Sequence, residues 1–195
     1  MTKLLVVLLA LSAPLARAGV FDLPAFIEPG NYSLGIEPEV AISNGTGAAL
    51  NLKPRIGHTS LLNWEGLIGM GSGARNFRIG VTADLELFPD IDSQPGIATA
   101  LFTEYYRISG NGLFSFGAKP MIYKTFRNGD NEYTPFFALP IGWNVTGGNI
   151  NGFMQVALGS NFKVGVDSRW RFTGEVGFNA SNSYSYISGG ATYFH

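Results

Sequence analysis

Between Asn76 and Phe88 the chain alternates without a fault. Phe77, Ile79, Val81, Ala83, Leu85 and Leu87 are apolar, and Asn76, Arg78, Gly80, Thr82, Asp84 and Glu86 lie between them. Successive side chains of a strand point to opposite faces, so this stretch specifies a strand with one greasy side and one ionic side. The residues from Asn31 to Thr59 repeat the pattern twice. Tyr32, Leu34, Ile36, Val40 and Ile42 share a face opposed to Ser33, Glu37 and Glu39. After the turn-like run Ser43-Asn44-Gly45-Thr46-Gly47, Leu50, Leu52 and Ile56 alternate with Asn51, Lys53 and Arg55. If Ile42 pairs with Ala48, Glu37 stands opposite Lys53 and Glu39 opposite Asn51. Opposite charges then meet on one face while aliphatics fill the other.

The same reading continues along the chain. A third strand, 60–71, sets Leu62, Trp64, Ile68 and Met70 against Asn63 and Glu65, with Leu61 and Leu67 out of pattern. Residues 89–96 are a loop by their turn residues. A fifth strand, 97–108, is ambiguous, because Glu104 and Arg107 fall on opposite faces and a bulge would be needed to reconcile them. A sixth, 113–126, alternates Phe114, Phe116, Ile122 and Phe126 with Lys119 and Tyr123. A seventh carries Tyr133, Phe137 and Trp143 on one side, and an eighth spans 150–162. A ninth sets Trp170, Phe172, Val176 and Phe178 against Arg169, Arg171 and Glu175, and a tenth spans 183–194. A tilted strand crosses a bilayer in about 9–11 residues, and these are long enough. The expectation is an all-β fold: an antiparallel up-and-down transmembrane β-barrel of ten strands, with eight as the alternative count.

Composition excludes much else. There is no cysteine, so neither a disulfide framework nor a thiolate metal site is available. Hydrophobic residues make up 46% of the chain but are dispersed by alternation, and 26 glycines suit closely packed strands. At the start, Lys3, the apolar run Leu4 to Leu11 and Ala16-Arg17-Ala18 have the pattern of a secretory signal peptide. The expected division is therefore a signal peptide over 1–18, a periplasmic lead-in over 19–29 and a barrel over 30–195. The irregular lead-in reads as flexible, with a partial plug as the alternative. Cleavage removes Lys3 and Arg17, leaving 11 of the 13 basic residues against 14 acidic ones, a formal charge of −3. The basic residues are scattered, so no nucleic-acid partner is expected.

The signal peptide, the alternating strands and the aromatic ending Ala191-Thr192-Tyr193-Phe194-His195 resemble a small bacterial outer-membrane β-barrel protein. The resemblance covers the mature chain and implies residence in the outer membrane, with lipid as the partner. In that family a terminal aromatic is recognised during insertion; here His195 follows Phe194.

On this reading Glu37, Glu39, Lys53, Arg55, Glu65, Arg78, Asp84, Glu86, Lys119, Arg169, Arg171 and Glu175 line the lumen. They either fill it as ion pairs or border a narrow, low-conductance pore, since about eight strands give an interior just filled by side chains. Tyr32, Phe88, Phe126, Tyr133, Trp143, Phe162, Trp170, Phe178 and Phe194 form the aromatic girdles at the two interfaces. No cofactor, metal or catalytic residue is expected. Asp90 and Asp92 are too few for calcium's six to eight oxygens. Two other classes stay open: a soluble secreted barrel holding a lipid or other apolar ligand, its faces inverted, and an outer-membrane hydrolase built on a trio such as His58, Ser60 and Glu65. Two features sit awkwardly with a barrel. Pro38, Pro54, Pro120, Pro135 and Pro140 fall inside strands, where each removes a ladder donor. The turns placed at the outer end are also short, whereas outer loops are usually the longer set.

Overall fold

The computed structural model describes residues 26–43, 46–73, 76–108, 111–165 and 169–195. The expected signal peptide and all but the end of the lead-in lie outside the described residues. Twelve strands form one sheet: β1 (Tyr32–Ala41), β2 (Gly47–Thr59), β3 (Leu62–Gly71), β4 (Phe77–Phe88), β5 (Gly96–Ile108), β6 (Asn111–Tyr123), β7 (Phe126–Asn128), β8 (Asn131–Ala138), β9 (Ile141–Thr146), β10 (Asn149–Lys163), β11 (Trp170–Ser181) and β12 (Tyr186–Phe194). All pairings are antiparallel, and the neighbours from β1 to β6 and from β9 to β12 pair in sequence order. β12 returns to β1, and β10 pairs with both β8–β9 and β11, which closes the sheet on itself. β7 prolongs β6, and β8 and β9 are two halves of one crossing, so the closed barrel has ten spanning strands.

Every proline within the strands sits at a break in the ladder. The β1–β12 pairing skips from Ile36↔Ala191 to Glu39↔Ser188, which spans Pro38. The β2–β3 pairing skips from Leu52↔Ile68 to Arg55↔Glu65, which spans Pro54. Pro120 and Pro140 both lie where β6 passes from β9 to β8, a seam outside either ladder that is joined by the Leu139 amide donating to the Pro120 carbonyl at 3.0 Å. Pro135 lies opposite the Lys124–Thr125 interruption, and its carbonyl accepts from the Lys124 amide at 3.2 Å. The missing donors thus fall where no ladder bond is made, and the objection that prolines raise against a barrel is met locally.

The first hairpin departs from the predicted register. Val40, not Ile42, pairs with Ala48; Glu37 stands opposite Asn51 and Glu39 opposite Ala49. The Ile42 amide donates instead to the Ser185 carbonyl at 2.9 Å, and the hairpin ladder ends at Ala41↔Gly47. A two-residue slip leaves every side chain on its face, so alternation alone cannot detect it.

The start of β1 and the end of the chain meet at one rim: the His195 amide donates to the Tyr32 carbonyl at 2.9 Å, and the two rings stack at 4.6 Å. The loop 89–95 is at this terminal rim, as is the short turn at 60–61. The last residues of the lead-in turn inward here. Ile27 is buried, and Phe26 packs on the inner cluster of Ala98, Met121, Tyr123 and Phe136. Two features of the wall accept this segment. The Asn63 side-chain amide, suitably oriented, bonds both the Ile27 amide and carbonyl at 3.1 and 3.2 Å. A Cβ on Gly57 would lie 2.3 Å from the Glu28 carbonyl oxygen, so only glycine leaves room for the chain.

Candidate functional site: the ionic interior and its mouth

The interior is a connected set of ion pairs from β1 to β5. Lys53 Nζ lies 3.4 Å from Glu37 Oε2 and 3.3 Å from Glu65 Oε1. Arg55 Nη2 reaches Glu65 Oε2 at 2.8 Å and Asp84 Oδ2 at 3.2 Å. Arg78 forks onto Glu104, with contacts of 3.0 to 3.2 Å, and sends Nη1 to Glu39 Oε2 at 3.4 Å. Glu39 also accepts from Asn51 Nδ2 and, at 2.9 Å, from the Tyr184 hydroxyl. All these charged groups are 6% exposed or less. Such burial is tolerable only because each charge meets an opposite charge or a donor.

Of the residues expected in the lumen, Glu37, Glu39, Lys53, Arg55, Glu65, Arg78, Asp84, Lys119 and Glu175 are buried inside the wall. Lys119 Nζ stands 5.0 Å over the Phe102 ring. Glu86 and Arg171 face inward but only at the terminal mouth, where they are partly exposed. Arg169 is a correction. It precedes the first ladder pair of β11, Trp170↔Tyr193, is exposed, and donates outward to the Tyr193 hydroxyl at 3.2 Å. Glu104 was missed as a lumen residue: no bulge intervenes at that point of β5, so Glu104 points in and Arg107 out. Its strand offered little signal, because the other inward residues are Ala98, Ala100, Phe102 and Tyr106.

With Glu104 counted, the described residues place six carboxylates against four bases in the deep interior. Tyrosines make up the difference in donors. Tyr106 donates to Glu104, Tyr184 to Glu39 and Tyr186 to Glu175, while at the mouth Tyr123 donates to Glu86 at 2.6 Å. A phenol supplies a donor without adding charge, which suits an interior where carboxylates outnumber bases.

The outer surface is the converse. Ile79 and Val81 on β4 are 45% and 49% exposed, while their neighbours Arg78 and Asp84 are 5% and 6%. Tyr32, Phe88, Phe126, Tyr133, Trp143, Phe162, Trp170 and Phe178 all lie exposed on this outside, and Phe126, Tyr133 and Phe162 stack in a row along the terminal rim. Phe194 does not join them. Its partner in register is Ser33, an inward residue, so Phe194 turns in and lies 5.1 Å beneath the Arg171 guanidinium. Tyr193 takes the outer place, edge-on to Trp170. No family model matches the chain, and no curated protein is similar to it at a significant level. Among solved structures, the COG4313 outer membrane channel from Pseudomonas putida F1 superposes with a TM-score of 0.59 at 8% identity, covering 90% of this chain and 100% of that one. A KdgM porin gives a TM-score of 0.42 at 16% identity over 83% of this chain and 98% of its own. The first of these carries the comparison, and at that identity it speaks for architecture. The fold is that of an outer-membrane β-barrel.

Within this barrel the hydrolase trio is not assembled. His58 is exposed on the outer side of β2, whereas Glu65 points inward to Lys53 and Arg55. Among the described residues no group of three or more His, Asp or Glu side chains is placed to hold a metal ion. The concave feature is the terminal mouth, a cleft of ≈ 560 Å³ with Phe26 in its lining. On one side of it the loop 89–95 wraps Lys124, whose ammonium donates to Asp90 Oδ1 and to the carbonyls of Asp92 and Gln94. Asp90 Oδ2 accepts from the Thr125 amide at 2.6 Å. Partial burial pushes the Asp90 carboxyl up, but the Lys124 and Thr125 donors outweigh it and hold it below its ordinary value. The other side of the mouth carries Arg127, Glu132 and Arg171.

Proposed function

We propose that the protein is exported by its N-terminal signal sequence to the bacterial outer membrane and resides there as an integral barrel. On this proposal the barrel is structural or at most a narrow, low-conductance pore. The observation that carries this is the inversion of β4: apolar side chains outward around an ionic centre, which fits hydrocarbon outside and nothing soluble. The soluble ligand-binding alternative needs an apolar interior, and this interior is charged. A filled lumen favours the narrow end of the range. The space bounded by Glu39, Asn51, Arg78 and Tyr106 is only ≈ 10 Å³, about one water.

The test is detergent extraction with heat-modifiable gel mobility, followed by planar-bilayer recording. The expected outcome is a folded band that needs detergent and shows little or no conductance. A protein soluble without detergent overturns the proposal. Val81→Arg, at mid-strand on the lipid side, should cost insertion about 2–4 kcal/mol, as midplane arginine does, while Val81→Leu should be silent. Equal behaviour of the two variants would place Val81 away from lipid.

A further inference from the structure

Four neighbouring strands bring one row of side chains to the inner edge of the mouth. Arg127 of β7 pairs in register with Glu132 of β8, Glu132 with Lys163 of β10, and Lys163 with Arg171 of β11. Three cations thus share one described carboxylate. Lys163 and Arg171 are moreover a like-charge pair directly opposite each other, an arrangement that destabilises a sheet. Glu132 does not settle the row. Its Oε1 is 3.2 Å from Arg127 Nε, but its Oε2 is 3.7 Å from Arg171 Nη2, too long for a hydrogen bond. Meanwhile Phe194 supports the guanidinium face of Arg171, which leaves the N–H edge directed for a planar acceptor. The cleft beside the row is large enough for a small organic molecule. Of the other acids lining the cleft, Asp90 is engaged by Lys124 and Glu86 by Tyr123, and Asp92 stands in the loop that wraps Lys124.

We propose that the row Arg127–Lys163–Arg171 is a binding site for a multivalent oxyanion, carboxylate or phosphate, captured at the mouth without passing through the filled lumen. An anion bridging Lys163 and Arg171 would relieve the repulsion that the fold otherwise retains. The same chemistry is offered by a soluble organic acid and by a lipid phosphate, and the test separates the two.

The full chain is refolded into phosphatidylcholine nanodiscs, and its unfolding midpoint is followed by heat-modifiable mobility at constant ionic strength. Citrate should raise the midpoint above that in chloride, because a ligand that binds only the folded state stabilises it. Arg171→Gln and Lys163→Gln should each weaken the citrate response by about tenfold in concentration, the loss of one charge-assisted contact. Lys163→Glu should raise the midpoint without citrate and abolish the response to it. If nanodiscs containing phosphatidylglycerol give the same row-dependent rise without citrate, the anion is a headgroup; a rise with citrate alone assigns a soluble acid. Absence of any response to either anion, or an equal response in Lys163→Gln, overturns the site. A chain that shows no heat-modifiable band would instead overturn the membrane reading, so the two failures are distinct.

Discussion

The arc of wall from β1 to β5 and the arc from β8 to β12 fill one lumen by different chemistry. On the first, eight of the buried side chains are ionised types, from Glu37 to Glu104, tied strand to strand by guanidinium and ammonium groups. On the second, the buried side chains include Thr134, Phe136, Asn144, Phe153, Gln155, Asn161, Thr173 and Tyr186, with Glu175 the buried charge among the described residues. Rings there lie flat over glycines of the neighbouring strand: Phe136 over Gly159 and Tyr186 over Gly177, each a directly opposed pair. Charge fixes one arc by pairing and shape fixes the other by packing. The first should therefore be brittle toward loss of one partner, and the second toward added volume.

The largest effect is expected where a partner is removed from the charged arc. Arg78→Met takes the fork from Glu104 and the contact from Glu39, leaving two buried carboxylates short of a cation. That should cost about 3–5 kcal/mol in the folding equilibrium, measured by urea titration in detergent. On the neutral arc, Asn144→Leu should cost far less, since Asn144 is buried with neither amide atom bonded within the protein. If the two variants cost the same, the distinction between the arcs fails.

Added volume should reverse the order. A Cβ on Gly177 would sit 1.8 Å from the Tyr186 ring, which also donates to Glu175. Gly177→Ala must displace that ring and should cost about 1–3 kcal/mol, the usual range for overpacking. Three residues earlier on the same strand, a Cβ on Gly174 meets nothing within 4 Å. Gly174→Ala is thus the internal control and should be close to neutral. Equal penalties would mean that strand propensity, not ring packing, governs β11.

The charged arc was largely legible in the sequence and the neutral arc was not, for a physical reason. Where inward residues are charged and outward ones aliphatic, as on β4, a period of two is visible and fixes each face. On β5 and β12 the inward residues are themselves aromatic or small, so inside and outside look alike. That is why the alternation does not reveal Glu104, and why Phe194, expected in a girdle, turns in. Register was hidden for another reason, because a slip of two residues preserves every face. The inward turn of Phe26 and Ile27 depends on the Asn63 amide and the Gly57 notch, and neither residue has a pattern to advertise it.

The smallest effect concerns the rim, where loop 89–95 is held by side-chain contacts instead of a ladder. Asp90 anchors loop 89–95 to Lys124 and Thr125, and its carboxyl is held below the ordinary 3.8. A group with a depressed folded value stabilises the fold above its unfolded value and loses that contribution as pH falls through the folded one. The anchor should therefore be intact at neutral pH and weaken below about pH 4. Limited proteolysis at pH 7 should cut the loop faster in Asp90→Asn than in the parent, with overall stability changed by less than about 1 kcal/mol because the pair is at the surface. Parent protein brought well below pH 4 should show the same loosening by hydrogen exchange, while Asp90→Asn should show no further change there. If loosening at low pH occurs equally in both, other carboxylates of the mouth govern the loop and the rim is not held by this contact.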